Sequence, residues 1–393
     1  MKKYNIPFSP PDVSDREIEN VVEVLKSGWI TSGPKVKTFE ENIAKFCDST
    51  DSVAVSSATA AMELILKVYD IKAGDEIITT PYTYTATSST MIHRGIKPTF
   101  VDTEKDSFLI NAANIKKAIT EKTKAIFTVD FAGVPVDYDE IKDMLKDINR
   151  EDIILVSDSA HAFGAKYKGK RVGSQFDFHA FSFHAVKNLT TAEGGAITYN
   201  NSNVHGKKDL YREFKVSSLH GQTKDALSKT KAGSWQYDII TDGFKCNMTD
   251  MQAAIGIAQL ERYEEMLKHR SKIFEIYNDI IGKEEFAILP FVKNDIKESS
   301  YHVYSLRIKD FSEAQRNKVI EKMAELGIAT NVHFIPLPMF TLYKNLGYNI
   351  EDYPNAYNQY CNEISLPVYS TLSFEDAKIV ATELVNCVKN IVK

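Results

Sequence analysis

The chain has 393 residues, 43% hydrophobic and 26% charged, with a formal net charge of −5. These values describe an ordinary globular protein with enough chain for a large core and two domains. A mildly acidic balance without blocks of like charge argues against a nucleic-acid surface, so any anionic ligand must be held by local groups. No apolar run reaches the ~18 residues of a membrane span, and Lys2 and Lys3 are not followed by the apolar core of a signal peptide. Cys47, Cys246, Cys361 and Cys387 lack metal-type or redox spacing and read as reduced thiols, so a cytoplasmic location is expected.

Ser14-x-x-Glu17 is a capping box opening a first helix, with Ile18, Val21, Val22 and Leu25 predicted on its buried face and Gly28 as its stop. A second helix carries Val36, Phe39, Ile43 and Phe46 on one stripe. Short apolar runs then alternate with helical patterns: 53–55, 76–78, 99–101, 125–129, 153–156, 178–183 and 196–199. Strands without polar alternation, separated by helices, predict an α/β fold with a mostly parallel seven-stranded sheet covered on both faces. Ligands bind such sheets beyond the carboxyl ends of the strands. Residues 201–241 are polar and weakly periodic, which suggests an excursion carrying ligand or partner contacts. Thr249-x-x-Gln252 caps a long helix expected to run to about residue 281. The runs 302–308 and 329–334, with helices at 312–325 and after Ser373, predict a smaller α+β domain. The expected division is a large domain over 1–245 and a small one over 246–393.

Four strand ends carry chemistry. Val53-Ala-Val-Ser-Ser-Ala-Thr-Ala-Ala61 reads as a strand, a tight turn and a helix start, whose free N–H groups suit a phosphate, with Ser57 and Thr59 as added donors. A plain N-cap is the simpler reading of that turn alone. Pro81-Tyr-Thr-Tyr-Thr-Ala-Thr87 sets aromatic rings where one could stack on a flat heterocycle. Asp158, just past the strand of Ile154-Leu-Val-Ser-Asp158, could hold a protonated ring nitrogen, and His161 lies one turn on. Lys187 follows the 178–183 run and precedes Glu193-Gly-Gly195; desolvated there, its neutral amine could form a Schiff base. No Walker or dinucleotide glycine pattern occurs, and His179 and His184 do not make a metal site. Phosphate cup, stacking ring, acid and lysine together are the equipment for pyridoxal phosphate.

Over nearly its full length the chain resembles the DegT-type sugar aminotransferases, which have the fold-type I, aspartate-aminotransferase-like architecture. The likeness rests on Ser27-Gly-Trp-Ile-Thr-Ser-Gly-Pro34, Ser56-Ser-Ala-Thr-Ala60, Pro81–Thr87, Asp158-Ser-Ala-His161, Ser182-Phe-His-Ala-Val-Lys-Asn188, Glu193-Gly-Gly195 and Met248-Thr-Asp-Met-Gln-Ala-Ala254. The resemblance implies that Lys187 carries the cofactor and Asp158 pairs with its ring nitrogen. It implies that Tyr84 stacks on the ring, and that Ser182 with Ser57, Ala58, Thr59 and Ala60 binds the phosphate. His161 would lie near the phenolic oxygen. Where many members have Gly-Tyr-Asn-x-Arg-Met, this chain has Gly243-Phe-Lys-Cys-Asn-Met248, so Lys245 or Asn247 would reach the phosphate in a partner subunit. Pro338 stands where the family often has histidine. Trp29, Thr31, Ser32, His184, His220, Trp235 and His333 would face the substrate, and Lys35, Lys224 and Lys231 its diphosphate.

The activity implied is transamination from L-glutamate, through a pyridoxamine phosphate form, onto a keto sugar carried on a nucleotide diphosphate. The modal family substrate is a 4-keto-6-deoxy hexose, N-acetylated in some cases, made for cell-surface polysaccharide such as lipopolysaccharide. A UDP-4-keto-pentose of the 4-amino-arabinose type and a 3-keto sugar are the alternatives. A homodimer with composite sites is implied, and no metal, membrane or nucleic-acid partner. Lys187 argues against the dehydratase members, which replace it with histidine. The complete lysine, aspartate and aromatic set argues against a non-catalytic regulatory relative, and the phosphate cup against a simple Schiff-base aldolase.

Overall fold

In the computed structural model, which describes residues 3–200, 204–224 and 235–392, the uninterrupted apolar runs become one seven-stranded sheet. Its members are β1 (Asp51–Val55), β2 (Glu76–Thr79), β3 (Thr99–Phe100), β4 (Thr123–Val129), β5 (Ile154–Asp158), β8 (Phe178–Ser182) and β9 (Gly195–Tyr199). Two short strands, β6 (Lys166–Tyr167) and β7 (Lys170–Arg171), form a hairpin outside it. The order is β1-β9-β8-β5-β4-β2-β3, and β9 alone runs against the rest. Alternate residues feed two cores, as the pleat requires. Ala125 and Phe127 of β4 pack with Val53, Val156 and Phe178 on one face, whereas Ile126 packs with Ala54, Leu155 and Phe181 on the other.

A second core joins Ile273, Phe274 and Tyr277 to the three-stranded sheet of β10 (Ala287–Ile288), β12 (Tyr304–Ile308) and β13 (Glu363–Leu366). The remaining strand, β11 (Lys297–Glu298), pairs with β6 and so ties this region to the large sheet's side. The N-terminus joins the second core as well: Ile6 is buried there, and Tyr4 donates to the Leu326 carbonyl at 2.8 Å. Among the described residues, no helix is long and apolar enough to cross a membrane.

The structure departs from the sequence expectations in three places. Helix α1 (Asp15–Ser27) has its capping box and its Gly28 stop at φ 75°, but its buried residues are Glu17, Asn20 and Val24. Ile18, Val22 and Leu25 face outward, Ile18 with 54% of its surface exposed. The inward face is polar because it is answered. The Glu17 carboxylate accepts from Gln259 Nε2 at 2.8 Å and Arg262 Nε at 3.0 Å, and Asn20 donates to the Ala254 carbonyl at 3.2 Å. The single helix expected over 249–281 is two, Asp250–Glu261 and Tyr263–Ile281. Arg262 interrupts them at φ −111°, with its guanidinium held by Asp12 and Glu17. Finally, the 329–334 run forms no strand beyond the bridge of Asn331 to Ser365.

Removing the Glu17 carboxylate orphans buried donors on two helices, so Glu17→Ala should cost about 2 kcal/mol. Thermal unfolding beside the exposed Glu19→Ala checks this; equal melting temperatures would contradict the buried-polar contact.

Candidate active site

The carboxyl ends of β5 and β8 and the start of helix α3, counted after α2 (Pro34–Phe46) and spanning Ala58–Val68, open into one cavity of about 390 Å³. Asp158 is the last residue of β5 and is buried. Its Oδ2 accepts from Thr87 Oγ1 at 2.7 Å and its Oδ1 from the Ala160 N–H at 3.2 Å. Burial raises its pKa above the usual carboxylate range, and these donors together with the charge of Lys187 oppose that.

Lys187 sits in the reversal between β8 and β9, where Ser182 pairs with Gly195 and the Phe183 N–H donates to the Gly194 carbonyl at 2.8 Å. The Lys187 N–H donates to the His184 carbonyl at 2.9 Å, which turns the side chain back into the cavity it lines. Its amine has no hydrogen bond or ion pair among the described residues. Desolvation pulls its pKa down to about 8, and Asp158 only partly offsets this. The residue is partly accessible as a whole, through the cavity mouth, while the cavity walls strip water from the amine.

Three neutral histidines surround the amine, each depressed first by burial and further by the Lys187 charge. His161 Nδ1 accepts from the Ala132 N–H at 3.3 Å, which leaves its proton on Nε2. His302 has the opposite tautomer. Asn188 donates through Nδ2 to the Ser300 carbonyl, so its Oδ1, 2.8 Å away, accepts from His302 Nδ1. His333 Nδ1 lies 2.8 Å from Ser365 Oγ, which is in turn hydrogen-bonded to Glu363, a carboxyl that burial pushes up to about 8. His302 lies 4.4 Å from His161, ring centre to ring centre, and Phe334 stacks on His161 at 5.8 Å.

At the opposite wall Ser57 caps α3, its side chain accepting from the Ala60 N–H at 3.0 Å, so that Ala58 and Thr59 present their N–H groups to the cavity. β9 crosses directly behind. A Cβ on Gly195 would fall 2.4 Å from the Ser57 carbonyl carbon and push into this cradle.

Of the residues predicted from sequence, Ser57, Ala58, Thr59, Tyr84, Asp158, His161, Ser182, His184, Lys187 and His333 line the cavity. Ala60 serves it through the cap. Tyr84 stands at the mouth, 63% exposed, 6.1 Å from the Phe334 ring. Trp29, Thr31, Ser32, His220, Trp235, Lys245 and Asn247 do not line it. Instead the Trp29 to Ser32 loop is tied to the 247–250 segment: Trp29 Nε1 donates to the Ser32 carbonyl, Asn247 Nδ2 to Ser32 Oγ, and the Asp250 N–H to the Thr31 carbonyl. Lys245 contacts Asn247. Trp235 is 75% exposed. Lys35 pairs with Glu23, and Lys231 lies outside the described residues. Sequence reasoning missed His302 and Phe334 as cavity residues and Thr87 as the donor to Asp158, although Phe334 directly follows the predicted His333 and Thr87 ends the Pro81–Thr87 turn.

The donor set fits pyridoxal phosphate. A desolvated amine without a partner suits its aldehyde, a buried carboxylate without an ion pair suits its ring nitrogen, and free N–H groups at a helix start suit its phosphate. Such a site on this fold defines a pyridoxal-phosphate enzyme that joins its cofactor to a lysine. The DegT/DnrJ/EryC1/StrS aminotransferase family model matches residues 11–385. The chain therefore belongs to that family, the pyridoxal-phosphate-dependent sugar aminotransferases.

A provisionally assigned sugar aminotransferase of Streptococcus pneumoniae, Spr1654, solved in a PMP form, is 44% identical with a TM-score of 0.93 over 98% of this chain and all of that one. The spore coat polysaccharide biosynthesis protein SpsC of Bacillus subtilis is 37% identical over all of this chain and 98% of its own. Helicobacter pylori PseC, an aminotransferase of pseudaminic acid biosynthesis, is 28% identical with a TM-score of 0.89, over 98% of this chain and all of its own.

Because only the neutral amine is nucleophilic, the rate at which the cofactor-free protein takes up pyridoxal phosphate should rise with pH and level off above about 8. An unperturbed surface lysine would keep gaining to about 10.5. Stopped-flow absorbance over pH 6–10 reads this, and Lys187→Ala should give no lysine-bound cofactor band at any pH.

Proposed function

We propose that this enzyme moves an amino group from L-glutamate to a 4-keto-6-deoxy hexose carried on a nucleotide diphosphate. The observation that carries the proposal is the Lys187 amine, buried, without a partner, and opposite Asp158 in a cavity walled by neutral histidines. The hexose is supported by the relatives: PseC and SpsC act in the synthesis of pseudaminic acid and of a spore coat polysaccharide.

Bound pyridoxal phosphate supplies a reactive aldehyde and an electron-withdrawing ring. Asp158 holds a proton on the ring nitrogen, and Thr87 fixes the orientation of that carboxylate. Ser57, Ala58, Thr59 and Ser182 bind the phosphate. Lys187 would be the one base and acid, its amine taking the proton from the donor's α-carbon and giving it back in the second half of the exchange. A pKa near 8 suits both duties at neutral pH. His161, with its proton on Nε2, would donate to the cofactor's phenolic oxygen. His302, with its proton on Nδ1, would accept from a sugar hydroxyl through Nε2, and His333 lines the same cavity.

With the pyridoxal phosphate form, L-glutamate should convert the absorbance to that of pyridoxamine phosphate, and one member of a panel of UDP-, dTDP- and GDP-linked keto sugars should reverse it. Conversion by glutamate without reversal by any 4-keto hexose would sink the substrate assignment while leaving transamination intact.

We infer further that two copies pair over the exposed apolar surfaces of α1 and of Trp235–Ile240. Ile239 and Ile240 are each more than half exposed, as are Ile18 and Leu25. Apolar surface of this kind on a soluble chain marks an interface. Trp29, Thr31, Ser32, His220, Trp235, Lys245 and Asn247, which do not line their own cavity, then have a neighbour's cavity to reach. Ile239→Asp with Ile240→Asp should shift the protein to a monomer in light scattering and remove most activity. A fully active monomer would refute the composite site.

A further inference from the structure

A second cavity of about 360 Å³ opens between the large domain and the β10–β12 sheet. Its walls include Phe108, Phe131, Ile288, Leu289 and Phe291, and Arg307 of β12 lines it. Arg307 is 9% exposed. Its Nε donates to Asn362 Oδ1 at 3.1 Å, while its two terminal nitrogens have no acceptor among the described residues. The fully buried Arg316 contrasts with it: that guanidinium is spent on the Tyr360 and Glu363 carbonyls and on Asn317. Burial holds Arg307 below its usual pKa, and Asp106, the one carboxylate that acts on it, does so through space without an ion pair.

A guanidinium fork left open in an apolar cleft is a carboxylate site in waiting, since its planar N–H pairs match two carboxylate oxygens. The rest of the lining limits the charge. Glu104, Asp106 and Asp137 border the same cavity, against Lys297 as the other cation. Three acids disfavour a phosphate dianion or a nucleotide diphosphate, but they tolerate one negative charge neutralised by Arg307. The volume is that of a small ring-bearing ligand.

We propose that this cavity binds a small monocarboxylate with an apolar ring body, its carboxylate on Arg307 and its ring among Phe108, Leu289 and Phe291. The site is separate from the cofactor cavity, although the two are one side chain apart: Val303 lines both.

The test uses the cofactor-loaded enzyme and 2-naphthoate as probe, by calorimetry and naphthoate fluorescence. Wild type should bind at submillimolar concentration, with naphthalene-2-carboxamide about tenfold weaker for want of the charge. Arg307→Met, which keeps the stem, should lose about tenfold in naphthoate affinity. Leu289→Trp, at the partly exposed rim, should block binding by filling the cleft. Both variants should keep the cofactor's absorbance and the transamination rate. Should Arg307→Met fail to fold, Leu289→Trp decides alone. Naphthoate binding unchanged by Leu289→Trp, equal binding of acid and carboxamide, or no saturable binding by wild type up to about 5 mM would each overturn the assignment.

Discussion

Asp158 and Lys187 face the same cavity without forming an ion pair, and burial moves each of them away from its charged form. A protein selected for stability alone would close that distance or replace both residues with apolar ones, since buried charges without partners are costly. Here the cost is kept. An acid and an amine kept apart in one cavity suit a flat cofactor with a ring nitrogen at one end and an aldehyde at the other, and the surrounding groups hold them there. Thr87 and the Ala160 N–H hold the carboxylate. Burial, with the charge of Lys187, holds His161, His302 and His333 below the usual histidine range, so that none contributes a competing positive charge.

That constraint explains why the sheet is built as it is. Parallel strands β4, β5 and β8 end at one edge, which brings Val129 and Asp158 level with Ala180, and Ser182 two residues beyond them. The antiparallel β9 returns from the same edge, so the Lys187 loop is a reversal anchored at both ends. Gly195, at the start of that return, lets the strand pass against the first turn of α3 with no side chain between. The first turn of α3 and the Lys187 loop are thus set by one crossing, and displacing it would move both.

The sequence made the sheet and the cavity floor legible because strand ends concentrate unusual residues. An acid after Ile-Leu-Val-Ser, and a lysine before Glu-Gly-Gly, have few structural reasons to be there. It misled at α1, where Ile18, Val22 and Leu25 have the spacing of a core face yet point outward. Periodicity identifies an apolar stripe without saying whether the chain itself or another molecule covers it. His302 was illegible for another reason: it stands just ahead of β12, far along the chain from His161, and meets it only through tertiary packing. No local pattern encodes such a meeting. Arg262 was equally silent, since a guanidinium that stops a helix by binding two distant acids looks like any helical arginine.

Val303 lines the cavity of Lys187 and the cavity of Arg307 at once. Its side-chain volume is therefore a single variable with two outputs, and a mutation that enlarges one chamber reshapes the other. A change at that position cannot alter the first cavity without also altering what the neighbouring cleft admits. Diversification of substrate range in this lineage should run through the outer loops, where no wall is shared, and Val303 should drift slowly for reasons unrelated to chemistry.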